Sequence, residues 1–208
     1  ALALLGATLE KMAVEIRHLQ RTEVHEVEEG FSKGQTGSSA MPHKKNPVNC
    51  ERVTGLARLM RSYLQAGLEN VALWHERDIS HSSVERVIFP DAFLTLDFML
   101  SEMTKIWSQL RVYPKHMMRN IDRGRGLFFS QNLLTALIRK GLSRFDAYTI
   151  VQSLAMDVWN HEGTHLKTTA MQDKRVAKLF SEKELDRLFD LKGYLSRIDA
   201  IYKKSKRS

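Results

Sequence analysis

Apolar residues over the first twenty positions fall at alternating spacings of three and four: Leu2, Leu5, Leu9, Met12, Ile16 and Leu19. That rhythm keeps one stripe on one side of a helix, so residues 1–22 are expected to form a helix lying along other helices. The acids Glu23, Glu26, Glu28 and Glu29 follow, and Gly30 ends the periodic run. A second stripe, Val53, Leu56, Met60, Tyr63 or Leu64 and Gly67, predicts a helix opened by Asn46 as N-cap. Pro47 would then take the first helical position, where its missing N–H is no loss. A third stripe, Val84, Val87/Ile88, Leu94, Phe98, Met103, Ile106 and Leu110, predicts one long helix over about 84–110, kinked or divided at Pro90.

Arg111-Val112-Tyr113-Pro114 breaks the pattern, and shorter elements follow. Residues 127–140 read as a helix stopped by Gly141, and Ser143 with Asp146 opens another to about Trp159. Asp173 and Ser181 are further N-cap candidates, Ser181 standing three residues before Glu184 as a capping box requires. Neither a strand-like alternation of useful length nor an internal repeat is present. The expectation is an all-α protein in two domains, 1–112 and 113–208.

Composition narrows the class. A 208-residue chain that is 43% apolar and 27% charged has the make-up of a globular protein with a sizeable core. No apolar run nears the ~18–20 residues of a membrane span, and no basic-then-apolar leader opens the chain. The single cysteine, Cys50, cannot form an internal disulfide, which fits a cytoplasmic setting. The chain lacks an initiator methionine and starts inside a helical pattern, so it is expected to be the later part of a longer one. Its net charge of +8 is uneven, with seven basic residues against one acid between Arg111 and Ser143. Without interleaved aromatics or a nucleic-acid module, that excess points to an anionic small molecule.

The candidate chemistry lies in Gly37-Ser38-Ser39-Ala40-Met41-Pro42-His43-Lys44-Lys45-Asn46-Pro47. This loop carries two hydroxyls and two lysines and runs into a helix N-terminus, where N–H groups and the dipole favour an anion. The polar connection from Glu69 to Ser83 is a second concentration of capable side chains. His161-Glu162-Gly163-Thr164-His165 has the H-E-x-x-H spacing of zinc proteases. Gly163 and Thr164 interrupt it near a helix end, and the motif needs a continuous helix to bring both imidazoles to one side.

GSSAMPHKKNP is similar to the GSSxMPxKxNP signature of the fumarase and aspartase superfamily, whose members eliminate fumarate from a succinyl group. The run WHERDISHSSVER, residues 74–86, resembles the adenylosuccinate lyases within it. The likeness is dense over 30–91, looser over 120–131 and thin beyond. It implies the later helices of a long-helix bundle plus a small helical C-terminal domain, in a homotetramer whose active sites each draw on three subunits. The implied reaction, in purine biosynthesis, is cleavage of adenylosuccinate to AMP and fumarate, and the matching cleavage of the succinylated aminoimidazole carboxamide ribotide. No metal or organic cofactor is implied. Neither is a nucleic-acid or membrane partner.

Position by position, the resemblance makes Ser38 the base, with Ser39 and Met41 beside the substrate. Lys44 and Asn46 match the signature's lysine and asparagine and would bind a carboxylate. Lys45 occupies a variable position and reads as a solvated charge. Glu51 either complements the helix dipole or orients a catalytic histidine. Arg52, Arg77, Ser82 and Arg86 match positions that hold the nucleotide part. The general-acid histidine of the family falls upstream of Ala1, so His18, His25, His43, His75, His81 and His116 are not assigned that role. Residues 1–208 alone are therefore expected to be inactive. Argininosuccinate lyase, which shares the signature but not the second run, is the alternative within the superfamily; a helical assembly module without activity is the alternative outside it.

Overall fold

The computed structural model describes residues 1–30, 44–76 and 78–206. In order these form α1 (Leu2–Leu19), β1 (Val27–Glu28), α2 (Val48–Glu69), α3 (Ser80–Gln109), β2 (Arg111–Val112) and α4 (Pro114–Arg123). A 3-10 turn (Leu127–Phe129) then leads to α5 (Ser130–Arg139), α6 (Arg144–Asn160), α7 (Leu166–Gln172), α8 (Lys174–Ala177), α9 (Glu182–Leu188), α10 (Lys192–Leu195) and α11 (Ile198–Ser205). Among the described residues the chain is all-α apart from a two-residue antiparallel ribbon, which pairs Val27 with Val112 and Glu28 with Arg111. Two compact units result, Ala1–Met117 and Met118–Ser208.

In the first unit α1, α2 and α3 run up, down and up. Glu10 pairs with Arg61 midway along α1 and α2. At one end of α2, Asn70 donates to the carbonyl of His81; at the other, Asn49 and Arg52 lie beside Glu102 and Gln109. The buried stripe of α1 is Gly6, Leu9, Ala13 and Ile16. Leu5 and Met12, expected on that seam, are about half exposed. The small residues win because they let the helices approach: a Cβ on Gly6 would stand 3.0 Å from Met60 Cγ.

The long helix α3 starts at Ser80, four residues earlier than the pattern indicates, and Pro90 does not divide it. Pro90 and Arg86, whose carbonyl loses its usual N–H partner, are both on the exposed side. Inward-facing residues are Ile88, Ala92, Leu96, Met99, Met103 and Ile106, whereas Leu94 and Phe98 point outward. The sequence stripe misleads here because α3 is apolar on more than one side.

Helix α2 opens one residue later than expected. Pro47, with φ −77° and ψ 67°, is the N-cap in place of Asn46, and its carbonyl accepts the Glu51 N–H at 2.9 Å.

The second unit packs α5 to α9 around Leu133, Leu137, Ile150, Leu154 and Leu166. Its caps are those the spacing indicates. Ser143 accepts from the Asp146 N–H, Asp173 from Arg175 and Val176, and Ser181 with Glu184 closes a full capping box. Among the described residues no helix is long and apolar enough to cross a membrane.

Candidate functional site

The end of α1, the ribbon, the start of α2 and the end of α3 meet at one end of the first unit. Glu28, the last residue of β1, and Glu29 directly after it are both buried there. A buried carboxylate is strongly unfavourable unless paired and hydrogen-bonded, so their partners define the local structure. Glu29 accepts the N–H of Asn49 at Oε1 and that of Cys50 at Oε2, each at 3.1 Å. Its own N–H donates to Gln20 Oε1 at 2.8 Å, and Gln20 Nε2 donates to the Lys45 carbonyl at 3.0 Å. The helix N-terminus expected to receive a substrate anion is thus occupied by the chain's own carboxylate. The physics of the expectation holds, but the anion is Glu29.

Glu28 Oε1 accepts from Lys45 Nζ at 3.1 Å, and Oε2 from the Tyr113 hydroxyl at 3.1 Å. The Arg111 guanidinium and His25 Nε2 stand 3.7 Å away. Burial pushes the Glu28 carboxyl up, but Lys45 and Tyr113 outweigh it and hold the group below the ordinary carboxylate value. Lys45, though exposed, is therefore more than the solvated charge its variable signature position indicates: it is ion-paired to a buried carboxylate. Around the pair, the rings of His25, Tyr113 and His116 cluster with centroids 4.9 to 5.3 Å apart. The Nδ1–H of His116 donates to the His25 carbonyl at 2.7 Å.

This frame presents Lys44 and Asn46 to a cleft of about 520 Å³ that His25, Glu28 and Thr22 also line. Lys44 is exposed and has no ion-pair partner among the described residues. Across the 45–46 backbone, Asn46 and Glu51 line a second cleft of about 510 Å³ with Arg17, His18 and Arg21. Arg52, one turn into α2, donates to Asn49 Oδ1 at 3.2 Å and faces Glu102 and Lys105. Cys50 is no nucleophile: burial and the Glu29 charge push its thiol up. Ser38, Ser39, Met41 and Arg77 lie outside the described residues.

Ser82 and Arg86 are not brought to this end. They sit on the first turns of α3, whose start is fixed by Asp78, accepting from the Ser80 N–H at 2.6 Å and from the Ser80 hydroxyl. The 22 residues of α2 separate the two ends by about 33 Å at 1.5 Å per residue. On one chain the described candidate residues therefore fall into two groups, one near each end of α2. Sequence reasoning missed Glu28, Glu29, Gln20 and Tyr113. The signal available was a pair of acids directly after the apolar Val27, a place where carboxylates need specific partners.

The H-E-x-x-H run does not lie on one helix. His161 is the C-cap of α6, 3.0 Å from Asp157, and Gly163 turns the chain with φ +81°. His165 caps α7, its Nδ1 accepting the Lys167 N–H at 3.1 Å. Among the described residues no group of three or more His, Cys, Asp or Glu is arranged to hold a metal.

Solved structures match this architecture. The 3-carboxy-cis,cis-muconate lactonizing enzyme from Pseudomonas putida superposes with a TM-score of 0.80 at 28% identity, over 94% of this chain and 42% of that one. The fumarate lyase from Mesorhizobium sp. BNC1 gives 0.78 at 27% identity, over 91% and 41%. The fold is that of the fumarase and aspartase superfamily of lyases.

Sequence comparison is more specific. Residues 1–61 match the family profile described as lyase, and residues 126–205 the profile described as adenylosuccinate lyase C-terminus. Adenylosuccinate lyase from Thermotoga maritima is 55% identical over 98% of this chain, and that from Synechocystis sp. 55% over 97%. The Helicobacter pylori enzyme is 51% identical over 98%. The chain spans about half the length of these relatives, 47–48%. It belongs to the adenylosuccinate lyase family.

Proposed function

We propose that this chain carries the proton-abstracting part of an adenylosuccinate lyase, which releases fumarate from adenylosuccinate to give AMP and acts likewise on the succinylated aminoimidazole carboxamide ribotide. The observation that carries the reading is identity above 50% with curated adenylosuccinate lyases along nearly the whole chain, signature and 74–86 run included. Ser38 takes the proton from the carbon beside a succinyl carboxylate, the electron pair forms the fumarate double bond, and the C–N bond breaks. A proton donor in the preceding half of the enzyme neutralises the departing nitrogen. Charge builds on the carboxylate as the C–H bond weakens, so fixed donors aimed there lower the barrier most. Lys44 and Asn46 fill that role, Ser39 and Met41 contact the substrate, and Glu51 orients a catalytic histidine. Arg52, Arg77, Ser82 and Arg86 hold the nucleotide.

A homotetramer with sites shared between subunits, working in the cytoplasm, completes the proposal; residues 1–112 supply bundle helices and 113–208 the small domain. Two features support the assembly. The two groups of candidate residues on one chain are about 33 Å apart, too far to serve one substrate. Helix α3 also has three apolar stripes. Besides its buried side, Phe89, Phe93, Leu100 and Trp107 form a second stripe and Val87, Leu94 and Phe98 a third, all substantially exposed. A helix with apolar stripes on several sides, two of them exposed in its own unit, fits inside a larger bundle.

Fumarate release by the full-length enzyme, with adenylosuccinate and argininosuccinate offered separately, tests the reading. Turnover of adenylosuccinate alone is expected, and Ser38→Ala should lower kcat by roughly 1,000-fold or more with substrate binding retained. Activity largely kept in that variant would move the base elsewhere. Turnover of argininosuccinate instead would overturn the substrate assignment.

A further inference from the structure

We propose that Glu28 and Glu29 are the positioning residues of the signature segment, clamping residues 45–50 from two sides and so setting where Lys44 and Asn46 stand. The kinetic part of this proposal rests on the lyase reading above. Its structural part does not.

Three anchors bracket Asn46. The Lys45 ammonium is held by Glu28, the Lys45 carbonyl by Gln20, and the amides of Asn49 and Cys50 by Glu29. Gln20 is itself oriented by the Glu29 N–H, so the two acids account for all three. They are fixed in turn by the ribbon. Glu28 pairs with Arg111 across it, Tyr113 N–H donates to the Glu26 carbonyl at 2.9 Å, and the Tyr113 hydroxyl reaches Glu28. Anchored on both sides of Asn46, the segment presents Lys44 and Asn46 with little conformational freedom left to lose.

The charges are sorted by the same pair. Both consecutive lysines line the cleft, but Lys45 is ion-paired with Glu28, whereas Lys44 has no ion-pair partner among the described residues. Glu29 fills the N-terminus of α2, which would otherwise draw a substrate carboxylate away from Lys44 and Asn46. The clamp thus gives direction to the electrostatics as well as order to the backbone.

Glu28→Gln, Glu29→Gln and Lys45→Met in the full-length enzyme test this, together with the Glu28→Gln/Lys45→Met pair. A kcat reduced by roughly 100-fold in each glutamine variant is expected, with KM moved far less, as for misplacement of a transition-state donor. The double variant should be no slower than its slower parent, because Glu28 acts through Lys45. Losses that multiply in the double variant, or glutamine variants within about twofold of wild type, would overturn the proposal. Amide hydrogen exchange supplies a readout independent of any substrate: Glu29→Gln should speed exchange at Asn49 and Cys50. Unchanged protection there sinks the clamp whatever the enzyme cleaves, whereas a wild type that releases no fumarate sinks only the lyase reading. Should Glu28→Gln fail to fold, Tyr113→Phe removes one donor to Glu28 and keeps the ring. It is expected to lower kcat in the same direction, and an unaffected kcat would count against the proposal.

Discussion

Lys44 and Lys45 are chemically identical neighbours, and their roles diverge only because of what each one touches. Nothing in a KK dipeptide says which ammonium will be neutralised; the partner, Glu28, lies seventeen positions upstream on an element of two residues. His165 shows the same dependence on surroundings. Its ring lies against Gly126, where a Cβ would fall 2.5 Å from the ring carbon Cε1, and Gly126 has the positive φ that glycine tolerates. Burial, with the Lys167 charge, depresses the imidazole below its ordinary 6.5 against a smaller opposing effect of Asp122. The folded state therefore favours neutral His165, so its contribution is complete above about 6.5 and is lost as pH falls through the lower folded value. Thermal unfolding of the second unit should accordingly shift downward on acidification from 6.5. His165→Asn, which keeps a cap acceptor but cannot titrate, should remove that part of the slope; an unchanged slope would place the proton uptake elsewhere.

Elements were legible where their determinants are local. Ser143, Asp173 and Ser181 are caps because each reaches N–H groups two or three residues on, a relation written in consecutive letters. Ser181→Ala should destabilise the second unit by about 1 kcal/mol, read from denaturant midpoints at constant slope. Lys140 also pairs with Glu184 from α5, and with Ser181 it holds that carboxyl at about 2, so the box ties two helices together. Helix faces were harder to read. On α1 the six-residue seam has two members turned outward and small residues in their place; on α3 three stripes compete and the sequence cannot rank them. The ribbon was illegible for another reason. Its strands are two residues each and are separated by more than eighty positions, so neither carries a pattern. Of the site, the signature residues were readable as a family resemblance, but the carboxylates that hold the segment belong to tertiary structure alone.

At the scale of the molecule, the distance between the two ends of α2 has a genetic consequence on the proposed reading. A lesion at Lys44 and a lesion at Arg86 damage different active sites of the same assembly, since one chain cannot bring both residues to one substrate. Two such variants, each inactive as a pure homotetramer, would then rescue one another when their subunits are mixed. With random assortment, roughly one site in four takes Lys44 from one parent and Arg86 from the other, both intact. Co-refolding Lys44→Met with Arg86→Ala and assaying fumarate release measures it directly. Recovery towards a quarter of wild-type turnover fits sites built between chains, and none at all would mean that each chain serves its own site. Alleles of such a gene would not sort cleanly into functional and non-functional: two broken copies in one cell could outperform either alone.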